Sequence, residues 1–282
     1  MKARAALAAT FALAACTAGP DYRFPARSAA RLPAAQAPFA AAAGPAFNPA
    51  EPPDHWWRLY GDPRLDGYVT EALAANADLR VADANLARAD AVVREVAVGR
   101  TVATTVSGGV TLARPAGTGA ALPGTVATDL GIALAYPLDL AGKVRRAIEA
   151  ARADAEAVAA ARDAVRVNVA AEVARSYAAA CSANRTLAAT RGVLAVQQDT
   201  LAVTERLQRG GRGTAFDVTR ARAAVQQSAA LVPAILATRS AALYRLATLM
   251  GRPPADWPRD AEACAAGPAM ARPLPVGDGG AL

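Results

Sequence analysis

Cys16 is the residue whose type and position point most directly to a chemical modification. It closes a Leu-Ala-Ala-Cys sequence at the end of an apolar run, residues 5–15, that follows a lysine and an arginine. A positive start, a short apolar core and small residues before a cut are typical of a secretory signal peptide. The run is too short for a helix that crosses a bilayer, which needs roughly 20 residues. We therefore expect residues 1–15 to be removed as a leader.

The last residues of this leader resemble the lipobox of bacterial lipoproteins. The resemblance implies that Cys16 becomes the mature N-terminus, carries covalent lipid and tethers the chain to a membrane outside the cytoplasm. Thr17 follows it, and by the usual sorting rule a residue other than aspartate at this position favours the outer membrane. The alternative is an ordinary cleaved signal peptide with a chance cysteine.

The remaining reactive side chains form no constellation typical of an enzyme. Cys181 and Cys264 lie far apart without metal-site spacing, and His55 is the only histidine. A disulfide is permitted in an oxidising compartment, but free structural thiols are our prediction. No phosphate-binding glycine loop, nucleophile elbow or metal cluster occurs in the sequence. We expect no catalysis, no metal and no cofactor other than the lipid. The net charge is +7, but the basic residues are scattered among acidic ones along the chain. This distribution argues against nucleic-acid binding.

Two segments lead into the folded region. Residues 16–53 are rich in alanine and proline, which predicts an extended segment without a core that could lie along a folded surface. Over residues 62–98, apolar residues recur three and four positions apart, which predicts one helix with one apolar face. Asp62-Pro63 marks its start, because proline is tolerated at the first helical position.

The next two segments alternate with a period of two. Residues 102–113 and 125–136 each present one bulkier apolar face and one face of small or polar residues. A tilted strand needs roughly 9–11 residues to cross a bilayer, so both are long enough. Together with the secretory leader and the helical patterns on either side, this favours a transmembrane strand hairpin whose apolar face meets lipid. The alternative is a soluble hairpin with one face on a core.

Two long helices are predicted after the hairpin. Residues 139–208 contain no proline and keep apolar residues three and four apart, which predicts a helix of roughly 100 Å, typical of a coiled coil or a helical barrel. The glycine-rich turn 209–214 ends it, and a second helix is predicted over 215–250. The two helices must run antiparallel, so the turn forms the tip of a hairpin. Residues 255–282 have no periodic pattern and are expected to be loop.

Several motifs, taken in order, resemble the outer-membrane factor lipoproteins of tripartite efflux systems (the TolC/OprM-like family, NodT subgroup). They are Gly19-Pro20-Asp21-Tyr22, Trp56-Trp57-Arg58-Leu59-Tyr60-Gly61-Asp62-Pro63-Arg64-Leu65, Asn76-Ala77-Asp78-Leu79-Arg80, Tyr136-Pro137-Leu138-Asp139-Leu140-Ala141-Gly142-Lys143, Arg206-Leu207-Gln208-Arg209-Gly210 with Asp217-Val218, and Leu249-Met250-Gly251-Arg252-Pro253-Pro254. The resemblance identifies residues 54–254 as the first of two tandem repeats. It implies a mainly α fold, in which the long antiparallel helices of a periplasmic α-barrel accompany the two-strand transmembrane β-hairpin.

By the same resemblance, the protein is a passive conduit. A homotrimer crosses the outer membrane, an inner-membrane efflux pump supplies energy, and a periplasmic adaptor (membrane fusion) protein docks on the helical tip. The expected anchor is Cys16, the expected lumen-facing residue is Asp129, and the expected adaptor contacts are Arg206, Arg209, Gly210, Gly211, Arg212, Gly213 and Asp217.

Members of this family contain a second repeat, whereas this chain contains one, and residues 274–278 resemble the lead-in to the second. We therefore expect a subunit truncated after its first repeat, with residues 255–282 as part of the inter-repeat linker. Two alternatives remain. One is a periplasmic lipoprotein without a barrel, whose coiled-coil hairpin acts as an adaptor or scaffold. The other is a fragment without function.

Overall fold

The computed structural model describes residues 19–35, 37–42, 44–113, 124–270 and 273–277. The predicted leader, Cys16 and the loop between the two predicted strands lie outside the described residues. The chain divides into two compact units. The first unit comprises Met1–Arg23 and Ala84–Ala160, and the second comprises Phe24–Asp83 and Ala161–Leu282.

Helix α1, Pro63–Ala75, begins where the sequence predicts. The Asp62 carboxylate accepts hydrogen bonds from the backbone N–H groups of Arg64 (2.9 Å) and Leu65 (3.4 Å). Pro63 takes the first helical position, where its missing N–H costs nothing. A short 3-10 turn, Trp56–Tyr60, precedes the helix.

The single helix predicted over 62–98 is wrong, because Asn76 divides it. The backbone of Asn76 is extended, with ψ 133°, and helix α2, Ala77–Val98, starts at the next residue. The buried Asn76 side chain accepts a hydrogen bond from the Leu79 amide at 3.1 Å and donates one to the Leu249 carbonyl at 3.0 Å. Asparagine competes with the helical backbone for such bonds. The Asn76 side chain therefore caps the start of α2 and also binds the carbonyl of the last residue of a helix that lies far along the chain.

Two long helices follow, α3 (Lys143–Arg209) and α4 (Ala215–Leu249). Helix α3 begins four residues later than predicted because Asp139 caps it from outside. The Asp139 carboxylate accepts from the backbone N–H groups of Val144 (3.1 Å) and Arg145 (2.9 Å). None of the described helices combines the length and the apolar composition needed to cross a membrane.

The core of the second unit is an aromatic and aliphatic cluster where α1, α3 and α4 meet. The rings of Tyr68 and Tyr177 lie edge to face, 5.3 Å apart, and their hydroxyls donate to Asp260 (2.6 Å) and Asp62 (3.0 Å). Burial raises the pKa of Tyr177 to about 12. Other fully buried members are Leu65, Val69, Val173, Leu243, Leu246 and Met250.

The expectation of loop over residues 255–282 is corrected in part. A short helix α5, Arg259–Glu262, packs with Ala261 fully buried. Further on, a two-residue strand, Leu274–Pro275 (β4), pairs in parallel with Phe47–Asn48 (β1). The proline-rich N-terminal segment thus lies along this unit and is held to its C-terminal segment.

The prediction of free thiols is wrong, since Cys181 and Cys264 form a disulfide. The bond joins α3 to the residue two positions beyond α5. The Asn184 side chain, one turn along α3, donates to the carbonyls of Glu262 (2.8 Å) and Cys264 (2.9 Å). The two cysteines are 83 residues apart in the chain, so contacts between distant segments bring them together.

Candidate functional site

Strands β2 (Ala103–Ala113) and β3 (Thr125–Ala135) form an antiparallel hairpin in the first unit. In its register, Val106 lies opposite Ile132, and Gly109 lies opposite Asp129. Directly opposed residues point to the same side of a sheet. The register therefore keeps the bulky residues of both strands on one face and the small or polar ones on the other.

The bulky face of the hairpin is exposed along its whole length. Its seven large apolar side chains are between 64% and 83% accessible: Val106, Val110, Leu112, Val126, Leu130, Ile132 and Leu134. Within the part of the chain that the structure describes, the two strands pair only with each other, and none of their residues belongs to the buried core. A contiguous apolar surface of this kind marks a region that meets lipid or another protein.

The opposite face is closely fitted around Asp129. The Asp129 side chain lies over Gly109, where an added Cβ would come within 2.5 Å of Oδ1. One pair further along, a Cβ at Gly131 would lie 2.8 Å from the Ser107 hydroxyl. Asp129 thus lies on the small, polar face, the side that the alternation predicted.

The tip between α3 and α4 is an ordered turn. The amides of Gly211 and Arg212 donate to the carbonyls of Gln208 (3.0 Å) and Leu207 (2.9 Å), and Gly211 adopts φ +71°, which favours glycine. These bonds satisfy carbonyls at the end of α3 that have no helical partner.

Asp217 is engaged in the start of α4. Its carboxylate accepts from the Thr214 backbone N–H (3.0 Å) and hydroxyl (2.6 Å), while the Thr214 oxygen accepts from the Asp217 amide (3.2 Å). This reciprocal arrangement is a capping box. The bonds from Thr214 lower the pKa of the Asp217 carboxyl. Asp217 was expected to contact an adaptor. In the structure its carboxylate is hydrogen-bonded to Thr214 and caps helix α4.

The three tip arginines, unlike Asp217, have no side-chain partner among the described residues. Arg206, Arg209 and Arg212 are exposed, and among the described residues none of their guanidinium groups makes an ion pair or a side-chain hydrogen bond. By contrast, Arg222 of α4 pairs with Glu205 of α3 at 3.1 Å and ties the two helices together behind the tip. The tip therefore presents unpaired cations on a fixed turn.

The structure shows a clamp on the N-terminal segment that the sequence does not predict. The Arg146 guanidinium donates to the Asp21 carboxylate (2.6 Å), to the Gly19 carbonyl (3.4 Å) and to Glu149 (2.6 Å). The bond to Arg146 lowers the pKa of Asp21. Asp21 and Arg146 are 125 residues apart in the chain. The only feature of the sequence that singled out Asp21 was its place in the Gly19-Pro20-Asp21-Tyr22 motif, which does not indicate a partner.

Residues 68–252 match the family model described as outer membrane efflux protein. The chain is 29% identical over 202 residues to nodulation protein T of Rhizobium leguminosarum bv. trifolii, covering 70% of this chain and 42% of that protein. It is 30% identical over 229 residues to the probable efflux pump outer membrane protein TtgC of Pseudomonas putida, covering 77% and 45%. The chain thus spans about half the length of the curated relatives it matches.

The solved outer-membrane channel OprN has a similar fold. It superposes with a TM-score of 0.81 at 32% identity, over 94% of this chain and 58% of that one. This likeness confirms the predicted fold class, long antiparallel helices with a two-strand hairpin.

Proposed function

Because this chain belongs to the outer membrane efflux protein family, we propose that it forms part of the wall of a passive export channel. Membership of this family locates the chain in the outer membrane, with a helical periplasmic extension. Substances pass through the lumen without chemical change. TtgC is described as an efflux pump outer membrane protein, and the same role is proposed here. The driving energy comes from an inner-membrane pump.

The two-faced hairpin is the observation that carries this proposal. Each strand has 11 residues, which is the length that a tilted strand needs to cross the hydrocarbon core of a membrane. In the proposed arrangement the seven exposed apolar side chains contact lipid, and the face with Asp129 contacts water in the lumen. The free strand edges pair with further strands, from a second repeat or from neighbouring subunits of a homotrimer, because unpaired backbone groups are costly in lipid.

The tip is the proposed docking point for a periplasmic adaptor. Its turn is held by backbone hydrogen bonds and by the capping box, so a partner meets a preset shape. The unpaired guanidinium groups of Arg206, Arg209 and Arg212 suit carboxylates or backbone carbonyls of the partner.

The Arg146 clamp supports the proposed lipid anchor at Cys16. Gly19 and Asp21 are held beside the first turns of α3, just beyond the end of strand β3. A connection of five residues spans at most about 17 Å, which limits how far a lipid anchor could be from Asp21. Its acyl chains would enter the membrane next to the hairpin.

A wash experiment on outer membranes tests both attachments. Four chains are compared: the full chain, a chain whose residues 1–16 are replaced by a cleavable leader without cysteine, a chain whose residues 103–135 are replaced by a glycine-serine linker, and a chain with both changes. Membranes are washed with alkaline carbonate, and the protein is measured in pellet and supernatant.

The proposal predicts that either attachment alone keeps the chain in the pellet and that the doubly changed chain is released. If the hairpin-bearing chain without lipid washes off completely, the hairpin is not embedded. The wall function would then be excluded, and a lipoprotein scaffold would replace it. If the lipid-bearing chain without the hairpin also washes off, the anchor at Cys16 is refuted.

A further inference from the structure

A small cavity lies where strand β3 passes into helix α3. Its volume is about 340 Å³, and its walls include Arg100, Tyr136, Leu138, Asp139, Leu140 and Arg145. We call it the junction pocket. All six residues belong to the first unit. Arg100 follows α2 closely, and the other five come from the connection to α3 and its first turn.

The apolar side chains of the junction pocket are unusually exposed. Tyr136 is 59% accessible, Leu138 is 73% and Leu140 is 88%. Tyr136 continues the alternation of the bulky strand face by one more step beyond Leu134. Tyrosine is enriched where a membrane meets water, because its ring is apolar and its hydroxyl is polar. The apolar strand face therefore ends in a patch typical of a membrane interface.

Two cations accompany this patch. The guanidinium groups of Arg100 and Arg145 are exposed, and neither has an ion pair or a side-chain hydrogen bond among the described residues. The one carboxylate in the pocket, Asp139, is bound by the backbone N–H groups of Val144 and Arg145. These bonds lower the pKa of Asp139, so it stays charged, and the pocket keeps a net positive charge of one.

The N-terminal clamp lies at the same level of the molecule. Arg146, which holds Gly19 and Asp21, directly follows Arg145 in α3. The end of the apolar strand face, the two pocket arginines and the segment that leads to Cys16 therefore converge on the first turn of α3. A membrane surface at this level would set phospholipid headgroups against Arg100 and Arg145.

We propose that the junction pocket binds the headgroup of an anionic phospholipid. Arg100 and Arg145 contact the phosphodiester, and Tyr136, Leu138 and Leu140 contact the glycerol backbone and the upper acyl chains. The inference rests on the proposed function, since it needs the hairpin to lie in a membrane. Each arginine near an anionic lipid favours binding roughly five- to sixfold, so the pair favours it roughly thirtyfold.

Lipid binding to the full chain measures this preference. The protein, in neutral detergent and stripped of lipid, is titrated with dioleoyl phosphatidylglycerol or dioleoyl phosphatidylcholine, and bound lipid is counted by native mass spectrometry. The test variant is Arg100→Gln with Arg145→Gln. The control is Arg94→Gln with Arg152→Gln, which removes the same charge from exposed positions of α2 and α3 further from the strands.

We expect the unchanged chain and the control to bind phosphatidylglycerol roughly thirtyfold more tightly than phosphatidylcholine, and the test variant to bind the two lipids alike. Equal binding of both lipids by the unchanged chain overturns the proposal, and so does an equal loss in both variants. Displacement of phosphatidylglycerol by millimolar glycerol 3-phosphate would identify a site for free phosphate instead. The wash experiment reports hairpin insertion separately, so a chain that stays embedded without lipid preference refutes this inference alone.

Discussion

Single lysine substitutions on the two faces of strand β3 test the orientation of the hairpin most sharply. Leu130 is the middle residue of Thr125–Ala135 and is 83% accessible on the bulky face. Ile132 lies on the same face, opposite Val106, and Ala133 lies on the other face, opposite Thr105. Ile132 and Ala133 are adjacent, so they differ in face and hardly in depth.

The expected magnitude follows from the depth of each position. A lysine on the lipid face costs about 2–4 kcal/mol at the middle of the bilayer and less towards the interfaces. Leu130→Lys should therefore lower the inserted-to-free ratio roughly 30- to 900-fold. Ile132→Lys should act in the same direction with a smaller effect, because it lies closer to the end of the strand. Ala133→Lys should change the ratio little, because its ammonium group stays in water.

The assay uses the full chain folded into phosphatidylcholine vesicles over a range of urea concentrations. The readout is the fraction of chain whose hairpin resists added protease. Leu130→Lys and Ile132→Lys should lose protection at lower urea, while Ala133→Lys follows the unchanged chain. Equal shifts for Ile132→Lys and Ala133→Lys would refute the assignment of faces, and no shift for Leu130→Lys would refute contact with lipid.

Three further predictions concern the tip and the tail. Replacing Arg206, Arg209 and Arg212 by glutamine should slow association with the proposed periplasmic adaptor and reduce the salt dependence of the association rate, as measured by surface plasmon resonance; an unchanged rate would remove these residues from the interface. The lowered pKa of Asp217 means that its cap stabilises the tip above the usual aspartate pKa and is lost as the pH falls through the lowered value. Amide exchange at the tip, corrected for intrinsic rates, should therefore rise on acidification, and Asp217→Asn should abolish that change; a pH response that persists in the variant contradicts the argument. Cys264→Ser should lower the stability of the second unit by roughly 2–4 kcal/mol and expose residues 265–277 to protease in urea, and unchanged proteolysis would show that packing alone holds the tail.

Local patterns in the sequence were enough to predict the hairpin and the helical tip. Alternation over 102–113 and 125–136 fixes which side chains share a face, and the observed register keeps that division. The turn at 209–214 was predictable because its glycines interrupt a long helical period. Both predictions depend only on residues close together in the chain.

Features that depend on distant partners were not predictable. Apolar residues keep their helical spacing through Asn76, so nothing local shows that its amide binds the carbonyl of Leu249, 173 residues away. Spacing likewise gives no sign that Cys181 meets Cys264. The contact of Arg146 with Asp21 belongs to the same class, since either charge alone reads as an ordinary surface residue.

The exposed face of the hairpin has a consequence for the life of the protein before assembly. A newly secreted chain carries seven accessible apolar side chains and open strand edges through an aqueous compartment. Such edges and patches promote aggregation. If the hairpin enters a membrane as proposed, we expect the yield of assembled protein to depend on how well this face is shielded before insertion more than on the stability of the helices.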